Sequence, residues 1–174
     1  MCIRDSYKTL TGIGATYSEI KAQRHSIIIE PNVPVIIGKC NSDKHKNDNL
    51  LGVYEGVTTD RIIKYLGASR GKYYKILTTP ESFTKVKDAF LIFNGKIYNT
   101  CFLLIDEAHK TIKDVDYRSD IVLPMNDFFK FKGKALVSAT PLKFSDPRFE
   151  ENGFSIIKIE PTYDYACLLY TSPS

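Results

Sequence analysis

No apolar run in the 174 residues approaches the ~20 that cross a bilayer. Nothing reads as a secretory leader, and no repeat, low-complexity stretch or long linker appears. Those absences exclude a membrane-spanning helix, a solenoid and a chain of tethered modules. Cysteine is scarce, with four in all. Cys40 and His45 make half a metal site, no second pair is spaced to complete it, and zinc is therefore rejected. Cys101 opens an apolar run and reads as a small core hydrophobe. So few thiols fit a reducing, cytoplasmic compartment. Charge of either sign is also modest, 24 Lys and Arg against 20 Asp and Glu, a net of +4. Such mild basicity permits a polyanionic partner without demanding one.

The two ends read as nucleic-acid adapter rather than protein. Met1-Cys-Ile-Arg-Asp-Ser6 back-translates to one strand of a transposase-type sequencing adapter, and Cys167-Leu-Leu-Tyr-Thr-Ser172 to the opposite strand. Pro173 and Ser174 continue the second copy. Residues 1–6 and 167–174 are therefore expected to be scars, and they are set aside before fold reasoning. Arg4 and Asp5 cancel, so the net charge is unchanged. Residues 7–166 form a partial domain, long enough for one real core and too short for two.

Strand-like and helix-like runs alternate through this segment, the pattern of βα units on a mostly parallel sheet. Strands are expected over residues 26–30, 50–54, 73–77, 102–105, 135–138 and 155–159. Helices are expected over 15–23, over 59–66 with Gly67 as its stop, and over 80–93. The last has Thr79 as cap, Pro80 at the first position and Asn94-Gly95 as terminator. Its Phe83, Val86, Phe90 and Phe93 make one apolar stripe that belongs in a core. Residues 117–130 are apolar-periodic as well, but Pro124 must restart or kink them. The polar loop 43–49 is expected only to meet solvent.

Asp106-Glu107-Ala108-His109 carries the most chemistry. It follows Cys101-Phe-Leu-Leu-Ile105, an apolar run without alternation, as in a parallel strand buried on both faces. Carboxylates at the C-terminal tip of such a strand sit where open α/β sheets bind ligands. An Asp there can hold Mg²⁺, and a neighbouring Glu can orient or deprotonate a water. Upstream, Thr11-Gly12-Ile13-Gly14-Ala15-Thr16 sits where a phosphate loop belongs, its glycines freeing amide groups to face phosphate oxygens. Thr16 falls at the Mg²⁺-binding hydroxyl, but Ala15 occupies the position of the loop lysine. Alone, this stretch reads sooner as a Gly-containing turn capping a helix. Ser138-Ala-Thr140 closes a further apolar strand about thirty residues after the acidic pair, one βα unit later.

Taken together, these stretches resemble the superfamily 2 DEAD/DEAH-box helicases. Residues 106–109 look like motif II and residues 138–140 like motif III. Residues 11–16 are similar to motif I, residues 30–35 to motif Ia and residues 78–82 to motif Ib, in the same order and spacing. The resemblance implies a three-layer RecA-like P-loop domain, the first of two, with its N-terminal strand missing. It implies ATP and Mg²⁺ as cofactors, bound by Thr11, Gly12, Ile13, Gly14, Ala15 and Thr16, with Thr16 and Asp106 on the metal. It makes Asp106 and Glu107 catalytic, and His109, Ser138 and Thr140 the couplers of nucleotide state to strand movement. Pro31, Asn32, Val33, Thr79, Pro80 and Glu81 would meet the backbone of one DNA or RNA strand. A missing second RecA-like domain would be the protein partner, supplying an arginine finger and half the nucleic-acid groove.

The expectation is therefore the motor domain of a helicase or translocase that hydrolyses ATP when joined to its second half, while the fragment alone unwinds nothing. Ala15 opposes hydrolysis, because phosphoryl transfer relies on positioned positive charge. A cation elsewhere, Lys8 or one from the missing domain, would have to compensate. The alternatives are a nucleic-acid-binding module that lost hydrolysis and a non-enzymatic scaffold that kept the fold.

Overall fold

A computed structural model describes residues 6–8, 14–113, 122–138, 147–155 and 157–159. The β-branched and apolar runs pair side by side, and the segments between them coil into helices. The first half contains β1 (Ser6–Lys8), α1 (Ala15–Lys21), β2 (His25–Ile29), α2 (Val33–Cys40), β3 (Leu50–Val53), α3 (Thr59–Ala68) and β4 (Lys75–Thr78). The second contains α4 (Phe83–Phe93), α5 (Ile97–Thr100), β5 (Cys101–Ile105), α6 (Ala108–Lys113), α7 (Val122–Phe128), β6 (Gly133–Ser138), α8 (Arg148–Glu151) and β7 (Ile157–Ile159). The seven strands form one parallel sheet in the order β3-β4-β2-β5-β6-β1-β7. None of the described helices is long and apolar enough to cross a membrane.

Side chains alternate across a strand, so position parity assigns each residue to a face. Ile27, Ile29, Val53, Ile76, Leu103, Ile105 and Leu136 point one way, into a core completed by Ile62 and Leu66 of α3 and by Phe83, Val86, Ala89 and Phe90 of α4. Ile28, Leu77, Phe102, Leu104, Ala135 and Val137 point the other way, against Ile20 of α1 and Ile36 of α2. The result is three layers, helix on sheet on helix, as the α/β pattern predicts.

Register then aligns the strand tips. Ile29 stands opposite both Thr78 and Ile105, and Ile105 opposite Leu136. The residues that follow, Glu30, Thr79 and Asp106, therefore leave the sheet at one level. Backbone bonds carry the alignment one step further: the Asp106 amide donates to the Ile29 carbonyl and the Glu30 amide to the Thr78 carbonyl, both at 2.9 Å.

Five expectations need correction. The N-terminal strand is present as a three-residue stub, β1, with Ser6 opposite Val137 and Tyr7 opposite Ser138. A parallel ladder needs only backbone groups, so Ser6 joins it whatever its coding origin. The fourth helix starts at Phe83 rather than Pro80, because Thr79–Ser82 first make a turn in which the Thr79 hydroxyl accepts the Ser82 amide at 3.3 Å. The described part of α7, Val122–Phe128, runs through Pro124 without restarting there. The loop at 43–49 does not merely meet solvent: Asp48 pairs with Lys21 of α1 at 2.7 Å and with His45 at 2.7 Å. Lastly, α2 was not anticipated. Asn32 caps it by accepting the Val35 amide at 3.2 Å, and Pro34 stands in its first turn.

Candidate nucleotide site

Parity explains how the site assembles. Asp106 continues the even-numbered series of β5 and Glu30 that of β2, so both aim at the α1/α2 layer rather than the α3/α4 layer. Asp106 there accepts a hydrogen bond from the Thr16 hydroxyl of α1, linking residues 90 positions apart. Gly14 permits the approach: its φ of 79° is left-handed, and its carbonyl accepts the Ser18 amide at 2.7 Å as the helix opens. The helix start at Gly14–Thr16 and the acidic turn at Asp106–Glu107 thus meet. A cavity of about 410 Å³ opens at the junction. Gly14, Ala15 and Thr16 line one side, Glu30, Pro31 and Asn32 another, and Asp106 and Glu107 the floor.

Glu107 adopts a φ of 49°, left-handed for a residue with a Cβ. Such conformations cost on the order of 1 kcal/mol and gather at functional sites. The turn is held by the Glu107 amide donating to Asp106 Oδ1 at 3.0 Å. It directs the Glu107 carboxylate toward His109, whose Nδ1 lies 3.4 Å from Glu107 Oε2. The same Nδ1 lies 2.9 Å from Ser138 Oγ, at the tip of β6. One histidine therefore bridges the acidic turn of β5 and the end of the neighbouring strand.

The remaining expected residues divide. Pro31 and Asn32 line the cavity and Val33 starts α2. Thr79 and Pro80 are buried at the tip of β4, and Glu81 is exposed. These two groups occupy the same edge of the sheet on adjacent strands. Thr11, Gly12, Ile13 and Thr140 lie outside the described residues.

Sequence reasoning missed two participants. Lys39, in the last turn of α2, places its ammonium 2.5 Å from Glu30 Oε1 and 4.0 Å from Asp106 Oδ2. Glu30 is almost fully buried and Lys39 about one-quarter exposed. Lys110 of α6 also lines the cavity, at its exposed side. The Asn-x-Pro start at 32–34 followed by an apolar stretch was a readable signal for α2 itself, but not for the cavity that Lys39 reaches.

The cysteines lie outside this chemistry. Burial pushes the Cys101 thiol up to about 12 and raises that of Cys40 as well, so both stay protonated and unreactive.

No protein-family model matches the chain, and no curated protein does. Solved structures do. A hypothetical ATP-dependent RNA helicase from Sulfolobus tokodaii superposes with a TM-score of 0.61 at 16% identity, over 90% of this chain and 48% of that one. The Hef helicase domain from Pyrococcus furiosus superposes with a TM-score of 0.56 at 13% identity, over 90% of this chain and 35% of that one. The chain thus spans half or less of the helicases it matches. The fold is that of a RecA-like domain, the fold these two structures share.

Proposed function

We propose that this RecA-like domain is the nucleotide-binding half of a helicase or translocase that hydrolyses ATP when stimulated by a polynucleotide. The observation that carries the reading is the meeting of Thr16 with Asp106 at the mouth of a cavity floored by Glu107. A hydroxyl and a carboxylate are hard oxygen donors, the set that suits Mg²⁺, so the residues present fit the ion the fold implies. Bound there, the magnesium nucleotide would supply the phosphoryl group and neutralise its charge.

The chain's own residues divide the remaining work. Thr16 and Asp106 would hold the metal. Glu107, which lines the cavity, would orient a water and take its proton. His109 bridges to Ser138, so a shift of the acidic turn reaches the β6 tip. Pro31, Asn32, Val33 and Glu81, beyond the tips of β2 and β4, would face one nucleic-acid strand through its backbone, while the buried Thr79 and Pro80 would only position that edge. The second RecA-like domain would close over both ligands.

In the complete parent protein, ATP turnover should rise on adding single-stranded DNA or RNA. Glu107→Gln should lower kcat by roughly 100-fold or more, the scale of a lost general base. A parent with no polynucleotide-stimulated turnover, and no response to that substitution, would not be an ATPase.

One observation favours a second reading. Ala15 offers a methyl group where the loop lysine would neutralise phosphate. A domain that binds nucleic acid and no longer hydrolyses ATP would show salt-sensitive polynucleotide binding with no turnover.

A further inference from the structure

We infer that Lys39 replaces the missing lysine of the phosphate loop, reaching the nucleotide's phosphates from α2 instead of from α1. The inference rests on the cavity being a nucleotide site and names the cation that site would use.

A triphosphate brings several negative charges into a cavity whose described floor and near wall are themselves acidic: Asp106, Glu107 and Glu30. Without a cation the like charges repel in a region poorly screened by water. Ala15 supplies none, and it faces the same cavity as Lys39. Two described lysines line that cavity, Lys39 and Lys110. Lys110 is exposed, where solvent weakens its charge. Lys39 is mostly covered and already 4.0 Å from the carboxylate that receives Thr16. A cation beside the metal-site carboxylate is where the β- and γ-phosphates of a bound nucleotide need one.

Glu30 is the positioning residue. Its carboxylate is nearly sealed from solvent and holds the Lys39 ammonium at 2.5 Å. A lysine side chain is long and otherwise samples many rotamers, so this pairing keeps it aimed across the cavity. An ammonium carries three donor hydrogens and can retain Glu30 while donating to a phosphate oxygen. α2 delivers the group: Asn32 fixes the start of the helix, Ile36 anchors it in the core, and Lys39 lies one turn beyond.

The test is equilibrium binding of a fluorescent ATP analogue with magnesium to the 174-residue chain. Lys39→Gln with Glu30→Gln removes both charges of the pair without leaving a buried carboxylate alone. It should weaken binding roughly 10- to 100-fold, the range of a charge-assisted hydrogen bond. Lys39→Arg should keep most of the affinity, and adding Ala15→Lys to the Gln pair should restore it. Thermal unfolding of each variant reports whether it is folded, and Lys39→Gln alone replaces the pair if the pair unfolds. Unchanged affinity in the Gln variants overturns the assignment and leaves the nucleotide site standing. So does a loss that Ala15→Lys fails to rescue. If the unsubstituted chain binds nothing and Ala15→Lys binds well, the loop is a nucleotide site that Lys39 does not complete. If neither binds, the nucleotide reading falls together with the assignment.

Discussion

His25 shows how one residue ties the far end of the sheet to pH. Its Nδ1 accepts the Tyr74 amide at 3.0 Å, and its ring packs on Tyr74 with centroids 4.2 Å apart. A nitrogen that accepts carries no proton, so the folded chain requires neutral imidazole. Burial and, secondarily, the charge of Lys75 hold the His25 pKa below its ordinary value. The unfolded chain then takes up a proton more readily than the folded one. The contribution of His25 to stability is complete above pH ~6.5 and declines as pH falls below it. Denaturant midpoints should drop between pH 7 and pH 5, and His25→Gln should flatten that drop. Identical pH profiles for the two chains would remove His25 from the account. Lys75 itself is brought down to about 8 by burial, while its ammonium donates to the Glu19 and Ala22 carbonyls at the end of α1 and to Ser26 Oγ. It serves as a helix C-terminal cap, at the opposite end of the strands from the cavity beside Thr16 and Asp106.

Among the elements, α2 gives one residue a second role that the sequence reading did not assign to it. Asn32 is expected to touch nucleic acid and is also the cap of α2. Asn32→Ala should cost about 1 kcal/mol of stability, the usual loss on removing such a cap. Asn32→Asp keeps an acceptor at that position and adds a negative charge, which suits a helix start and repels phosphate. Its stability should match the unsubstituted chain while its polynucleotide binding weakens, by an amount that shrinks as salt screens the repulsion. If Asn32→Asp binds polynucleotide unchanged, Asn32 is a cap and nothing more. The comparison needs chemical denaturation and a salt titration of binding on the same samples.

For the molecule as a whole, the two cores divide the labour. The larger, between the sheet and α3/α4, carries Phe83, Phe90, Phe128 and Phe131, all essentially buried. The smaller, beneath α1 and α2, aligns the helices that present Thr16 and Lys39. Phe90→Ala should cost roughly 3–5 kcal/mol, since it removes an aromatic side chain and leaves a cavity. A loss of that size is a large part of the stability of a domain this small. Urea unfolding should show it as a lower midpoint with the slope unchanged. A cost below about 1 kcal/mol would mean that the larger core does not hold the domain together.

Sequence alone determined the α/β class, because apolar runs without alternation require a sheet covered on both faces. It also placed most strands within two residues and singled out Asp106, Glu107 and Thr16, which the fold gathers around one cavity, since strand tips and glycine bends are local signals. Its failures were of two kinds. The start of α4 slipped because Thr79–Ser82 satisfies its backbone as a turn before the helix begins, a choice local propensity does not decide. Lys39 was invisible as a site residue because its meaning depends on Ile29 standing opposite Ile105. That register sets Glu30 beside Asp106 and brings the end of α2 over both. Side-chain type and spacing are written along the chain, but which charges share a cavity is settled by strand register and by the face each helix covers.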